Sequence, residues 1–188
     1  MLIAGIDEAG RGALAGPVVA AAVIFTKRPE KNLYSDSKKL TAVQREELYP
    51  RILRESLAVG IGVIDFHIID KVNILYATFL AMQKALQRLK HSPDIILIDG
   101  NQKIPDITIK QKTVVKGDAL VPVISAASIV AKVIRDRIMQ GYARIYKDYA
   151  FEVHKGYGTS LHQERILQNG LCPIHRRTFN KPRQLVLF

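Results

Sequence analysis

The feature that most constrains this chain is a set of short, unbroken apolar runs. Residues 2–6, "VVAAAVIF" at Val18–Phe25 and the apolar part of "PDIILIDG" are strand-length and carry no polar residue at alternate positions. None is long enough to cross a bilayer. A strand wetted on one face would alternate; these do not, so each must be covered on both faces, which calls for helices above and below a sheet. "AVGIGVI" (58–64) supplies a further strand, and "KTVVKGD" (112–118) reads as another, ending near Asp118.

Amphipathic segments lie between the runs. "TAVQREELYPRILRESL" opens on Thr41 with Gln44 three residues on, the pattern of a capping box, and places Val43, Leu48, Ile52, Leu53 and Leu57 at helical intervals. Pro50 is expected to kink or divide this helix. Residues 69–89 repeat apolar side chains at Val72, Leu75, Phe79, Met82, Leu86 and Leu89, predicting one amphipathic helix. "SAASIVAKVIRDRIMQGYARIY" predicts a long helix capped by Ser125, with a face through Ile129, Val133, Ile138 and Tyr142. A last helix is expected to begin at Thr159 and stop at Gly170. The order predicts an α/β domain with a mixed sheet and a helical C-terminal end, covering residues 1–179, followed by a tail at 180–188.

Charge narrows the function. The 188 residues are 48% hydrophobic, enough for a real core, yet carry 28 Lys plus Arg against 17 Asp plus Glu, a net +11. A polyanionic partner is expected. The single cysteine, Cys172, cannot make an internal disulfide, and no Cys/His group has zinc spacing, which fits a reducing cytoplasm. His154, His162 and His175 show no ligand spacing and are assigned no metal. Asp7 interrupts the apolar N-terminal start, so no signal peptide and no membrane segment are expected.

Against that positive background, Asp7, Asp99 and Asp118 each follow an apolar run, and Glu8 adds a fourth acid. If the runs are neighbours in one sheet, the carboxylates gather at one edge. Two unit charges about 4 Å apart repel by roughly 4 kcal/mol at an effective dielectric of about 20, so such a group calls for cations. All-oxygen ligands favour Mg²⁺ or Mn²⁺ over zinc. Asp after a strand is also a common turn residue, and Asp99 and Asp118 singly carry that reading equally well. Four acids on a basic chain point to metal-assisted phosphodiester cleavage with two ions.

"GIDEAGRGALAGPVVAAAVI", "DSKKL", "LIDG", "VVKGD", "SAASIVAKVIRDRIM" and "HKGYGT", in this order and spacing, resemble type 2 ribonuclease H (ribonuclease HII) over residues 3–179. The resemblance implies the ribonuclease H-like fold, a mixed five-stranded sheet flanked by helices with a C-terminal helical extension. It also implies endonucleolytic cutting of RNA in RNA/DNA hybrids, and incision 5′ of single ribonucleotides embedded in duplex DNA, leaving a 3′-hydroxyl and a 5′-phosphate. Asp7, Glu8, Asp99 and Asp118 match the family's active-site acids, with Mg²⁺ or Mn²⁺ as cofactor. Gly10, Arg11 and Gly12 match the turn that reads the ribose 2′-hydroxyl, the group that separates RNA from DNA. Tyr157 matches the tyrosine that packs on the following deoxyribose. Lys38, Lys39 and Lys116 are candidate phosphate contacts. Ala13 departs from the family's usual Pro, which loosens the turn without removing a ligand. With the first acid at residue 7, the N-terminal substrate-binding domain of type 3 relatives is not expected.

The chain closes on "RQLVLF". Gln184, Leu185, Leu187 and Phe188 resemble the Gln-Leu-x-Leu-Phe peptide with which bacterial DNA-processing enzymes hold the sliding clamp, although apolar terminal residues also dock on their own domain. Two other functions remain open on sequence: a noncatalytic hybrid-binding module, disfavoured because all four acids are present, and a metal nuclease for branched DNA, disfavoured by Gly-Arg-Gly and Tyr157. A monomer is expected.

Overall fold

In the computed structural model, residues 1–27, 29, 34 and 40–179 are described. Five strands, β1 (Ile3–Ala9), β2 (Val18–Phe25), β3 (Ser56–Ile64), β4 (Ile95–Asp99) and β5 (Lys110–Val114), form one sheet in the order β3-β2-β1-β4-β5. β1, β2 and β3 pair antiparallel, whereas β4 and β5 run parallel to β1, so the sheet is mixed as expected.

Helix α1 (Ala42–Glu55) starts on the expected capping box: Gln44 N–H donates to Thr41 Oγ1 (3.2 Å), and Thr41 N–H donates to Gln44 Oε1 (2.8 Å). It runs through Pro50 as one helix, so of the expected kink or division the division does not occur; Pro50 sits on the exposed side, where one missing donor is tolerated. The helix expected at 69–89 is two helices, α2 (Phe66–Val72) and α3 (Ile74–Gln87). Asn73 breaks it: at φ 70° it leaves the helical region, and its side-chain oxygen accepts from the N–H groups of Leu75 (2.9 Å) and Tyr76 (3.1 Å), capping α3.

The short helix α4 (Gly117–Leu120) precedes the long α5 (Pro122–Ile145). α5 begins at Pro122 rather than at a Ser125 cap. Pro suits the first turn, and Ser125 is buried one turn in, its hydroxyl donating to the Tyr34 carbonyl. After a 3₁₀ turn at Lys147–Tyr149 come α6 (Phe151–His154) and α7 (Ser160–Asn169), the latter capped by Thr159 and closed by Gly170 as expected.

The helices cover both faces because β2 is small at its centre. Ala21 and Val23 pack with Ala127 and Val130 of α5, while Ala20 and Ala22 pack with Ala81 and Ala85 of α3. β1 permits the closest approach: a Cβ on Gly5 would stand 2.3 Å from the Val123 carbonyl carbon. A further core of Ala15, Phe66, Met139, Tyr149, Phe151, Cys172 and Ile174 fastens the C-terminal helices to the segment after β1. Among the described residues, no helix is long and apolar enough to cross a membrane.

Candidate active site

The parallel pairing of β1 with β4 brings distant acids together. Its register ends at Ile6 opposite Ile98, so Asp7 and Asp99 are the next residues on adjacent strands, with their side chains on the same face. Asp7 and Glu8 lie inside β1, paired to Ala21 and Ala20, rather than beyond its end. Asp118 is not at a strand end either: β5 stops at Val114, Lys116 turns the chain in the left-handed region (φ 57°), and Asp118 occupies the first turn of α4. From there its N–H donates to Asp99 Oδ1 (3.3 Å).

Asp7 and Asp118 are buried, at 5% and 1% exposure. Burial pushes the Asp7 carboxyl well above its ordinary range, and the Glu8 and Asp99 charges add to this, opposed by a hydrogen bond from Ser128. Glu8 is also raised by burial, less so because Arg11 ion-pairs with it at 3.2 Å. Crowded, desolvated carboxylates resist ionisation until a cation offsets their charge, on a chain that is otherwise cationic.

Directly beyond β1, residues 10–17 form a loop stitched to two later segments. Leu14 N–H donates to the Gly156 carbonyl (2.8 Å), Gly16 N–H to Ile174 O (2.9 Å), and Arg176 N–H to Leu14 O (2.9 Å). Isolated bridges pair Ala13 with Tyr157 and Ala15 with His175. Two buried arginines fill the loop. Arg176 donates to the carbonyls of Gly10 (2.8 Å), Arg11 (3.0 Å), Gly16 (3.0 Å) and Pro17 (3.2 Å). Arg135 donates to those of Ala15, Pro17 and Lys155, and its guanidinium lies 4.9 Å from the centre of the Tyr157 ring. Gly10 (φ 96°) has no space for a side chain, since its Cβ would fall 2.1 Å from Arg135 Nε; at Gly12 a Cβ would meet nothing of the protein. The exposed Arg11 and the 40%-exposed Tyr157 therefore belong to one rigid unit beside the acids. Lys116 is exposed next to Asp118, while Lys38, Lys39 and the residues from 180 onward lie outside the described residues.

Sequence reasoning passed over both arginines and the three histidines. His154, His162 and His175 meet as a buried stack: the His154 and His162 rings lie 4.2 Å apart, and Nε2 of His162 is 3.0 Å from Nε2 of His175. Burial holds all three below the ordinary 6.5, His162 at about 4. The unfolded chain therefore takes up protons in a window where the folded one does not. Their contribution to stability is complete above about pH 6.5 and is lost as pH falls from there toward 4. Thermal denaturation across that window should show it, and replacing His162 by a residue that does not titrate should flatten the slope.

Residues 4–182 match the family model described as Ribonuclease HII. The chain belongs to the ribonuclease HII family. It is 50% identical over 184 residues to the ribonuclease HII of Endomicrobium trichonymphae, covering 98% of this chain and 88% of that one. Its fold is similar to that of the ribonuclease H2 from Pyrococcus horikoshii OT3, at 29% identity and a TM-score of 0.76, covering 95% and 93% of the two chains. It is likewise similar to the enzyme in the PCNA:RNase HII complex from Archaeoglobus fulgidus, at 24% identity and a TM-score of 0.80, covering 99% and 98%. A ribonuclease HII is an endonuclease of the ribonuclease H type, and the RNA strand of an RNA/DNA hybrid is its substrate.

Proposed function

We propose that Asp7, Glu8, Asp99 and Asp118 are the metal-binding and catalytic acids, and that the adjoining loop directs them to the phosphodiester 5′ of a ribonucleotide. The observation that carries this is the adjacency of Asp7 and Asp99 across β1 and β4, with Asp118 hydrogen-bonded to Asp99 and the Gly10–Gly12 turn following at once.

The donor set fits Mg²⁺ or Mn²⁺: every candidate ligand is a hard carboxylate oxygen, and burial together with the neighbouring Glu8 and Asp99 charges makes Asp7 costly to ionise without a cation. Among the described residues, no three His, Cys, Asp or Glu side chains converge closely enough, as they stand, to enclose an ion. Mg²⁺ is commonly held by one or two carboxylates and completed by substrate phosphate rather than by a protein cage. When bound, a pair of such ions supplies Lewis-acid activation of water and neutralises charge at the leaving oxygen. Asp7, Glu8 and Asp99 would be the principal ligands, and Asp118 would complete the second ion's shell or position it.

The chain's own residues then select the substrate. Gly12 opens backbone to a sugar, and Gly10 lets the loop turn tightly enough to present its N–H and C=O groups to a 2′-hydroxyl. Arg11 and Lys116 supply charge for neighbouring phosphates, as do Lys38 and Lys39. The exposed face of Tyr157 stacks on the deoxyribose that follows. This combination cuts hybrids and single embedded ribonucleotides alike, leaving a 3′-hydroxyl and a 5′-phosphate, and removes misincorporated ribonucleotides from DNA. The test is a DNA duplex holding one ribonucleotide, incubated with Mg²⁺, Mn²⁺ or EDTA. Incision 5′ of the ribose that EDTA abolishes is expected; incision 3′ of it, or activity surviving EDTA, overturns the reading.

The tail is proposed to hold a sliding clamp, placing Leu185, Leu187 and Phe188 in an apolar pocket while the preceding residues act as tether. Deleting 184–188 is expected to leave cleavage of short duplexes intact and abolish co-elution with the clamp. Clamp binding that survives the deletion refutes this.

A further inference from the structure

The buried histidines form a chain whose proton positions are fixed by backbone groups that cannot change roles. His175 Nδ1 lies 2.9 Å from the Cys172 N–H and 3.2 Å from the Cys172 carbonyl, so its tautomer is decided at the other side of the ring. The Tyr157 carbonyl can only accept from His162 Nδ1 (3.0 Å), which leaves His162 Nε2 bare. The His175 proton therefore lies on Nε2 and points at His162 Nε2 (3.0 Å), with Nδ1 accepting from the Cys172 N–H. Gly156 N–H likewise donates to His154 Nδ1 (3.1 Å), so His154 Nε2–H donates to the Tyr149 carbonyl (2.7 Å). His154 and His162 therefore act on the backbone at Gly156 and Tyr157, the turn that carries the exposed aromatic ring, while His175 orders the proton on His162.

We propose that His154, His162 and His175 are positioning residues: a tautomer-ordered imidazole chain that fixes the Gly156–Tyr157 backbone and thereby aims the Tyr157 ring. This rests on the reading of Tyr157 as the platform for the deoxyribose after the ribonucleotide. The chain works only when His154 and His162 are neutral. A proton added to His162 Nε2 meets the His175 N–H, and one added to His154 Nδ1 meets the Gly156 N–H. The surroundings keep the rings neutral. Phe151 packs on all three, and Tyr149 packs on His175. The Cys172 thiol lies 3.1 Å from His175 Nδ1. From α6 and its end, Glu152 and Lys155 bear on His154 with opposite signs, and Arg135 holds the Lys155 carbonyl. From α2, His67, Asp70 and Lys71, with Arg177, line the surface pocket that reaches His175. Arg176, next in sequence, is turned into the 10–17 loop.

The test pairs spectroscopy with selectivity. Ring ¹⁵N shifts of the wild-type protein at neutral pH should show His162 protonated on Nδ1 and His154 and His175 on Nε2; His162 protonated on Nε2 overturns the proposal. The second readout is the ratio of kcat/KM on a duplex with one embedded ribonucleotide to that on a long RNA/DNA hybrid. His162→Phe keeps the ring stack but has no N–H for Tyr157, and should lower this ratio about tenfold. His162→Asn, whose amide reaches the same carbonyl, should restore most of it. In a Tyr157→Ala background, His162→Phe should lower the ratio no further. If Tyr157→Ala leaves the ratio at the wild-type value, the platform reading fails while the tautomers still test the chain. If Tyr157→Ala collapses the ratio and folded His162→Phe does not, the chain is not a positioning device. Should His162→Phe fail to fold, the tautomers and the His162→Asn ratio decide, wild-type selectivity with the predicted tautomers being the supporting result.

Discussion

Asp7→Asn is expected to lower the rate of hybrid cleavage by about a thousandfold or more while substrate affinity changes by no more than about threefold. The amide keeps the shape and one oxygen but removes the charge that would hold a cation at the centre of the acid edge. The same substitution should stabilise the metal-free protein. Asp7 is buried, and its folded pKa is raised by burial and by Glu8 and Asp99, so the folded state binds a proton more tightly than the unfolded chain does. Stability of the wild type therefore declines as pH rises from about 3.8 through the raised folded value, where the buried carboxylate is made to ionise against desolvation and the neighbouring charges. A neutral amide at this position escapes that cost, and Tm should rise by about 2–4 °C for each kcal/mol relieved. Adding Mg²⁺ should narrow or reverse the difference, because the ion stabilises only the carboxylate form. A variant both less active and less stable without metal would mean that Asp7 is chiefly structural. An active Asp7→Asn protein would contradict the catalytic assignment outright.

Arg176→Lys should have the largest effect on stability, despite keeping the charge. Arg176 is 0% exposed, and its planar fork serves four carbonyls of the 10–17 loop at once. Burial, with Arg135 nearby, pushes its guanidinium down to about 9, so its charge is held chiefly by those carbonyls rather than by a paired acid. A lysine ammonium has three donors at a single point and cannot span them. A buried carbonyl left without its donor costs about 1–3 kcal/mol, so releasing two or more of the four corresponds, for a chain of this size, to roughly 10 °C in Tm. Because the loop carries Gly10 to Gly12, discrimination between ribose and deoxyribose should fall with it, to a greater degree than the rate on a long hybrid. Calorimetry of Arg176→Lys beside Arg177→Lys, an exposed neighbour, isolates the effect. Equal Tm values for the two would contradict the account of the loop.

Much of this was legible in the sequence where a local rule is strong. β2 was readable because eight consecutive apolar residues admit no wetted face, and α7 because Thr159 and Gly170 mark both ends. The Thr41–Gln44 box was readable for the same reason. Asn73 was not: the apolar period continues smoothly across it, and only its positive φ and its capping of α3 reveal the break. Asp118 lies near the expected edge by a different route, through a left-handed Lys116 and a short helix rather than the end of a strand. Val43 and Leu53, expected on the buried face of α1, are exposed at 67% and 42%, because that face turns through Leu48, Tyr49 and Ile52 instead. Arg135 and Arg176 left no local trace. Their partners are backbone carbonyls 118 to 166 residues away for the loop contacts, and any residue type can supply a carbonyl. The histidines were passed over because their spacing was tested only for metal ligands, whereas they bind one another and the chain's own backbone.

The most direct test of the central claim is anomalous diffraction from crystals of the protein grown with a duplex holding one ribonucleotide, with Mn²⁺ added to an inactive variant such as Asp99→Asn. The account predicts Mn²⁺ peaks coordinated by Asp7 and the remaining acids, with the ribose 2′-hydroxyl hydrogen-bonded to backbone of the Gly10–Gly12 turn. Peaks remote from these carboxylates, or a ribose seated away from that turn, would contradict it.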